Sequence, residues 1–281
     1  MKGVSIVTAT PKDDGQVASM CREIDPKDYV PAEWPAWRAG AGAVSLICRA
    51  AGRVAGCVYG EILAGRDAWA QGLRVHQAFR KRGIASALLC ALEKELHWRG
   101  AENIFANIGA FNTASLATVS GLDWKIAARI VRRRVSPLAA LHEQAMAGPS
   151  PKAVARLFRR YPALASRQKT AYFRRAYFST TPQILEGMLR RSAISLSPHE
   201  DAYAMTDPDI DRSEKIWVTA LAGEASGVEQ LVRAYVGEAG RLRVELCVDG
   251  PDDPGIQSLL DRFSFQSAGD GDRYLVFRKA L

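Results

Sequence analysis

The chain has 281 residues, 38 Lys and Arg against 30 Asp and Glu, a formal net charge of +8 and 48% hydrophobic residues. At roughly 150 residues per domain, that length predicts two domains or one large one, with ample apolar material for a core. No stretch reaches the ~18 consecutive apolar residues of a membrane span, and the apolar start at Val4–Val7 gives way to Lys12-Asp13-Asp14 too early for a secretory signal, so a cytoplasmic protein is expected.

The five cysteines (Cys21, Cys48, Cys57, Cys90, Cys247) are odd in number and scattered, and the four histidines (His76, His97, His142, His199) form no His-Glu-x-x-His pair. Neither a disulfide frame nor a metal site is expected. The charge is local: residues 126–191 carry 14 basic and two acidic residues, a net of +12, and the rest of the chain sums to −4. Such a run reads as a solvated helix face, or as a docking surface for an anionic ligand, an acidic carrier or nucleic acid.

In chain order, 43–49 and 53–63 are β-leaning runs around a turn at Ala51-Gly52, which predicts a hairpin. A third strand is predicted at 69–76. A short basic loop, Arg80-Lys81-Arg82-Gly83, then leads into a helix with Leu88, Leu89, Leu92 and Leu96 at helical spacing up to Gly100. Residues 103–108 suit a buried strand, Asn112 suits a helix N-cap, and 125–135 reads as a further strand. Gly and Pro cluster at 145–151 as a linker. Beyond it 152–178 and 183–191 read as helical, and 193–197, 215–222 and 242–248 as strands.

The stretch Arg80-Lys81-Arg82-Gly83-Ile84-Ala85, after a strand and opening a helix, is the most informative in the chain. The first N–H groups of a helix lack intrahelical partners and its dipole is positive there, which suits a pyrophosphate. Gly83 lets the backbone approach closely, Ala85 keeps the helix start open, and three basic side chains can add charge-assisted bonds.

These residues resemble the GCN5-related N-acetyltransferases (GNAT), whose acyl-CoA loop reads Arg/Gln-x-x-Gly-x-Gly/Ala, met here by Arg80, Gly83 and Ala85. The resemblance implies a mixed-sheet α/β fold. It also implies that the backbone of Leu73, Arg74 and Val75 meets the thioester and pantetheine, and that Asn112 and Ser115 match the downstream Asn-x-x-Ala/Ser. Asp123-Trp124 stand where Gly-Phe is usual. Asp28-Tyr29-Val30-Pro31, Trp34, Trp37, Trp69 and Gly72–Val75 look most like the histidine N-acetyltransferase branch, which makes Tyr29, Trp34 and Trp37 candidate substrate contacts. Two positions depart from the family. Val119 stands where a Tyr often protonates the leaving thiolate, leaving Ser120 or Tyr59 as substitutes, and Gln71 stands where some relatives have a basic Glu. An amide can orient an amine or a water without taking its proton. Glu61, ending the neighbouring strand, is then the candidate base, with Asp67 in reserve.

The second half repeats the spacing of the first. Gly83 to Gly100 and Gly223 to Gly240 are both 17 residues, and Asn112 to Trp124 and Asp253 to Phe265 are both 12. Ala220-Leu221-Ala222 replace the basic loop and Asp253 replaces the Asn, so no pyrophosphate is expected there. Together these features predict two tandem acyl-CoA N-acyltransferase-like domains: residues 1–140 catalytic, 141–151 a linker, and 152–281 a degenerate copy. The expected activity is transfer of an acyl group, in the first place from acetyl-CoA, to a primary amine of a small molecule or amino acid, without a metal. Neither membrane nor nucleic acid is an expected partner, and a homodimer is compatible with the sequence. The other function class is a non-catalytic acyl-CoA sensor that docks an acidic partner through the basic middle segment.

Overall fold

A computed structural model describes residues 4–40, 42–64, 66–136, 170–173, 176–179, 194–206, 213–251, 253–267 and 273–281. The predicted linker, the predicted helix at 183–191 and most of the basic middle segment lie outside these residues. Two compact units form. Unit 1 comprises Met1–Ala106, Ala114–Lys125 and Phe277–Leu281, and unit 2 comprises Asn107–Thr113 and Ile126–Val276. This division does not follow the boundary at 140, because the strand after Trp124 clusters with unit 2 and five residues near position 280 cluster with unit 1.

In unit 1 the strands β1 (Val4–Thr8), β2 (Ala43–Ala50), β3 (Arg53–Ala64) and β4 (Asp67–Val75) pair antiparallel in chain order, and β5 (Asn103–Gly109) joins β4 in parallel. The hairpin turns at Ala51 (φ 50°) and Gly52 (φ 77°), as the sequence predicts. Helices α1 (Asp14–Ile24) and α2 (Val30–Ala39) cover one face, where Val17, Met20, Cys21, Val30 and Trp34 meet Ile47, Cys57 and Tyr59. Helix α3 (Ile84–Trp98) covers the other face. It lies close because β3 offers Gly56 and Gly60: a methyl on Gly56 would stand 2.8 Å from the Arg74 carbonyl oxygen and 3.0 Å from Leu88 Cδ1, and one on Gly60 2.8 Å from Leu92 Cδ1. Helix α4 (Thr113–Ser120) follows Asn112 directly.

The stretch Phe277–Leu281 is bound into unit 1 by three polar links. Lys279 Nζ reaches Glu93 Oε2 at 2.6 Å, and the other oxygen of Glu93 accepts the Trp124 indole N–H at 2.8 Å. Arg278 donates to Asn103 Oδ1 (2.7 and 3.1 Å), whose amide donates to Asp67 (2.8 Å). The Leu281 N–H donates to the Glu102 carbonyl at 2.9 Å.

Unit 2 contains β6 (Lys125–Val135, from Ile126 on), β9 (Ile194–Leu196), β10 (Ala202–Thr206), β11 (Lys215–Gly223) and β12 (Glu245–Pro251) in the order β6-β12-β11-β10-β9. Helices α5 (Ala225–Leu242) and α6 (Pro254–Arg262) supply Leu231, Tyr235, Leu259 and Leu260 to its core. The final strand β13 (Arg273–Ala280) begins in unit 2 and ends in unit 1. One expectation fails here. Within the helix predicted at 152–178, Thr170–Phe173 (β7) and Ala176–Ser179 (β8) pair as an antiparallel hairpin. Their Tyr, Phe and Thr content favours an extended backbone over the helical spacing read from the sequence. Helix α5 runs past Gly240 to Leu242 and stops at Arg243 in the left-handed region (φ 58°).

Candidate functional site

Strand β4 pairs with β5 only through Asp67↔Asn103, Ala68↔Ile104 and Trp69↔Phe105. Beyond Trp69 the two strands part, and β4 continues to Val75 with its β5-facing backbone outside the ladder. On its other edge the register with β3 shifts between Cys57 and Tyr59, so Gly72 and Leu73 form a bulge opposite Val58. Gly72 has φ +65°, and a methyl there would lie 2.8 Å from Trp37 Cζ3, so the bulge requires glycine both for its conformation and for the ring seated on it. The bulge and the parting re-aim the backbone of Leu73, Arg74 and Val75, the segment the sequence marks for the thioester.

The loop after β4 is tightly specified. His76 Nδ1 accepts the Ala78 N–H at 3.1 Å, opening a 3-10 turn at Gln77–Phe79, and His76 Nε2 meets Glu23 of α1 at 2.9 Å. That hydrogen bond, with one from Ser19, holds the Glu23 carboxyl below its usual range. Arg80 Nε donates back to the Val75 carbonyl at 3.2 Å, and the Arg82 guanidinium lies 5.5 Å from the Phe79 ring centre. Lys81 (φ 60°) and Gly83 (φ 74°) are left-handed, and a methyl on Gly83 would meet no atom within 4 Å. Helix α3 starts at Ile84, whose buried side chain anchors it. The first bond of the helix runs from Ala87 N–H to the Gly83 carbonyl at 3.0 Å, which leaves the N–H groups of Ile84, Ala85 and Ser86 facing outward. Arg80, Lys81 and Arg82 are exposed around that opening. An anion with several oxygens is the ligand such a helix start suits.

On the α1/α2 face, cross-strand pairing places Tyr59 opposite Gln71 and Glu61 opposite Trp69, so all four share one side of the sheet. Tyr59 stacks on Trp37 with ring centres 4.9 Å apart and planes at 23°, and Tyr29 meets Trp37 edge-on at 6.0 Å. Burial, then the charge and hydrogen bond of Glu61, push the Tyr59 hydroxyl well above its usual range, so it stays protonated and donates to the carboxylate. Arg74 forms a two-pronged pair with Asp28 (2.6 and 2.9 Å) and lies 5.4 Å from the centre of the Tyr29 ring. Burial works to discharge this arginine, and the Asp28 hydrogen bonds more than offset it, keeping its pKa above the ordinary value. Beneath the bulge, the buried Cys57 thiol lies 3.5 Å from the Gly72 carbonyl oxygen, to which it donates, and its hydrogen bonding with the free thiol of Cys21, together with burial, holds its pKa high. A thiol so held is not a nucleophile.

The structure thus gathers Tyr29, Trp37, Glu61, Gln71 and Arg74 on one face, and Arg80 to Ala85 at the helix start. Trp34 departs from the sequence expectation: it is 1% exposed within the α1/α2 core, a packing residue and not an accessible substrate contact. Asn112 is exposed and clusters with unit 2, and Ser115 is half-buried in unit 1. Val119 is buried, and its carbonyl accepts the N–H groups of Leu122 and Trp124, so that position serves the core. The sequence reading missed Asp28 as the partner of Arg74, because no periodicity links residues 46 positions apart. Gly56 and Gly60, four apart in a strand, are a signal for a closely packed helix that could have been read.

The two units repeat these features in part. Trp124 and Phe265 are both buried, each follows a left-handed residue (Asp123, φ 62°; Ser264, φ 61°), and each N–H bonds the carbonyl five residues back at 3.1 Å. Asp253 caps α6 through the N–H groups of Gly255 (2.9 Å) and Ile256 (3.1 Å). The strand-to-helix connection differs. In unit 1 residues 76–83 lie between β4 and α3, whereas in unit 2 only Glu224 lies between β11 and α5. The Asp201 carboxylate occupies the start of α5, since a methyl on Gly227 would lie 2.0 Å from Asp201 Oδ1. Among the described residues no group of His, Cys, Asp and Glu is placed to hold a metal, and no helix is long and apolar enough to cross a membrane.

Residues 16–119, fewer than half of the chain, match the acetyltransferase (GNAT) family profile. No curated protein sequence is significantly similar to the chain. Among solved structures, a GCN5-related N-acetyltransferase from Sphaerobacter thermophilus superposes with TM-score 0.61 at 15% identity, covering 100% of this chain and 96% of that one. A tandem GNAT protein from the clavulanic acid biosynthesis pathway gives 0.57 at 13%, covering 99% and 98%. A GCN5-related N-acetyltransferase from Kribbella flavida gives 0.53 at 13%, covering 99% and 71%. At these identities the likeness is one of fold.

Proposed function

We infer, from the match of residues 16–119 to the acetyltransferase (GNAT) family, that this protein is an acyl-CoA-dependent N-acyltransferase, with acetyl-CoA the favoured donor and a primary amine the acceptor. The observation that carries the reading is the meeting, within unit 1, of a bulged β4 that parts from β5 with an outward-facing helix start ringed by Arg80, Lys81 and Arg82. These groups fit the two ends of one ligand. The helix start and the three basic side chains receive the pyrophosphate, and the freed backbone of Leu73, Arg74 and Val75 receives the thioester arm and stabilises the oxyanion formed on attack. Glu61 takes the amine proton through water, Gln71 orients the amine, and Tyr29 and Trp37 line the approach. The protonated, buried Cys57 supports direct attack by the amine over an acyl-enzyme. Asn112 and Ser115 remain assigned to the donor by their match to the family pattern. The protein is proposed to work in the cytoplasm as a tandem pair whose second copy, with Asp201 at its helix start and a one-residue connection, binds no CoA.

The test is free-thiol release from acetyl-CoA with L-histidine, histamine, tyramine and spermidine as acceptors, together with calorimetric titration of CoA. Turnover with at least one amine and one CoA per chain are the expected results. Gly83→Leu should raise the CoA dissociation constant by at least ~10-fold, because its side chain fills the space a phosphate needs, while left-handed strain of about 1 kcal/mol lowers the melting point by only a few degrees. Unchanged CoA affinity in that variant would sink the loop assignment. A second reading, a non-catalytic acyl-CoA sensor, is favoured by the buried Val119 and the amide at Gln71, and tight CoA binding without turnover of any amine would select it.

A further inference from the structure

Four residues of unit 1 form a continuous chain of contacts from the β4 bulge to the Glu61 carboxylate, three residues before the end of β3. Gly72 accepts the edge of the Trp37 ring against its Cα, since even a methyl there would stand 2.8 Å from the ring. Trp37 stacks on Tyr59 at 4.9 Å, and the Tyr59 hydroxyl hydrogen-bonds Glu61. Tyr59 itself is buried among Val17, Cys21, Val30 and Trp34, so its ring has one place to sit. We propose that Tyr59 is a positioning residue for Glu61, fixed in place by Trp37, so that the bulge holding the thioester arm and the carboxylate taking the amine proton are set relative to each other by one aromatic stack.

The physical reasoning is short. A half-buried glutamate has three flexible torsions, and a donor that cannot move selects one rotamer and favours the charged form. The stack supplies that rigidity, and a shift of Trp37 would be felt both at Tyr59 and at Gly72. Among the described residues, several charged groups near this face are engaged with other partners: Arg74 with Asp28, Arg38 of α2 with Asp14 (2.9 Å), Arg99 with Glu95 (2.8 Å) and with the Ala43 carbonyl opposite Glu61 (3.0 Å), and Asp67 with Asn103.

The proposal rests on Glu61 acting as the base, and the experiment separates the two ideas. Carbon-13 glutamate NMR of the full chain, with Glu61→Gln assigning the resonance, follows the Glu61 carboxyl through pH. Tyr59→Phe keeps the ring and the stack but removes the donor, so the carboxyl should titrate about one pH unit higher than in the wild type, with CoA affinity unchanged within twofold. Trp37→Leu should move Glu61 in the same direction and also weaken acetyl-CoA binding. Incorporation of 3-fluorotyrosine at position 59, a stronger donor that keeps the wild-type shape, should move the carboxyl lower and provides the reading if Tyr59→Phe does not fold. A Glu61 titration that ignores the chemistry at position 59 overturns the proposal. Loss of kcat/KM in Glu61→Gln bears only on its role as base. Were kcat/KM retained there, that role would fail while the NMR titration still decided whether Tyr59 positions the carboxylate.

Discussion

Asp13 shows how a single carboxylate can tie unit 1 to pH. It accepts the Thr10 N–H at 2.8 Å and the Thr10 hydroxyl at 2.9 Å, and it pairs with Arg49 of β2. Burial raises its pKa, and the Thr10 and Arg49 interactions outweigh that and leave it below the usual aspartate value. A carboxyl depressed in the folded state contributes stability that is present above its unfolded pKa, near 4, and is lost as pH falls through the folded value. Between pH 6 and pH 3 the wild type should therefore lose about 3 °C more in melting temperature than Asp13→Asn, whose amide does not titrate. Parallel slopes in the two proteins would show that Asp13 carries no such linkage. At this scale the sequence was legible where function is local. The loop from Arg80 to Ala85 is contiguous, and its helix start was readable from composition and order. The Asp28–Arg74 pair and the Trp37–Tyr59 stack join residues tens of positions apart, and the physics that joins them is tertiary packing, which leaves no pattern along the chain.

At the scale of elements, α3 and β3 are matched by the absence of side chains. A methyl on Gly56 meets a backbone oxygen, that of Arg74 on β4, which cannot rotate away, whereas a methyl on Gly60 meets the flexible end of Leu92. Gly56→Ala should therefore cost about 1–3 kcal/mol in denaturant unfolding and disturb acetyl-CoA binding through β4, and Gly60→Ala should cost less. Equal costs in the two variants would mean that α3 shifts as a body. The strands β2, β3 and β5 were legible to within a residue at their ends because turns and alternating burial mark them. The β7–β8 hairpin was not. Its basic and apolar residues fit a helical spacing as readily as an extended one, and only the aromatic and Thr content pointed the other way. The parting of β4 from β5 was equally hidden, since a strand that leaves its neighbour keeps the composition of one that stays.

At the scale of the whole molecule, unit 1 is assembled from three separate stretches, and the shortest, Phe277–Leu281, closes a network running through Glu93 to Trp124. Glu93 lies on α3, the helix whose start the proposed function assigns to the donor. Deleting residues 277–281 strips Glu93 and Asn103 of Lys279 and Arg278 and exposes the edge of β5, so the truncated chain should lose most acetyl-CoA binding and show an early unfolding step, measurable by calorimetry. Wild-type affinity in the truncation would mean that β13 is dispensable to unit 1. The repeated 12-residue spacing corresponds to the same helix end in both units. The division into units does not coincide with position 140, because a linear reading assigns each stretch to the half in which it occurs.

This interleaving bears on descent as well as on folding. Residues 277–281 of unit 1 follow in the chain the long stretch that forms most of unit 2, so any deletion that runs from unit 2 to the end takes Lys279 and Arg278 with it. Under the proposed function, in which the second copy binds no CoA, selection on the donor site would still preserve that stretch for the strand end it carries, and the site of the second copy can decay without its sequence being dispensable.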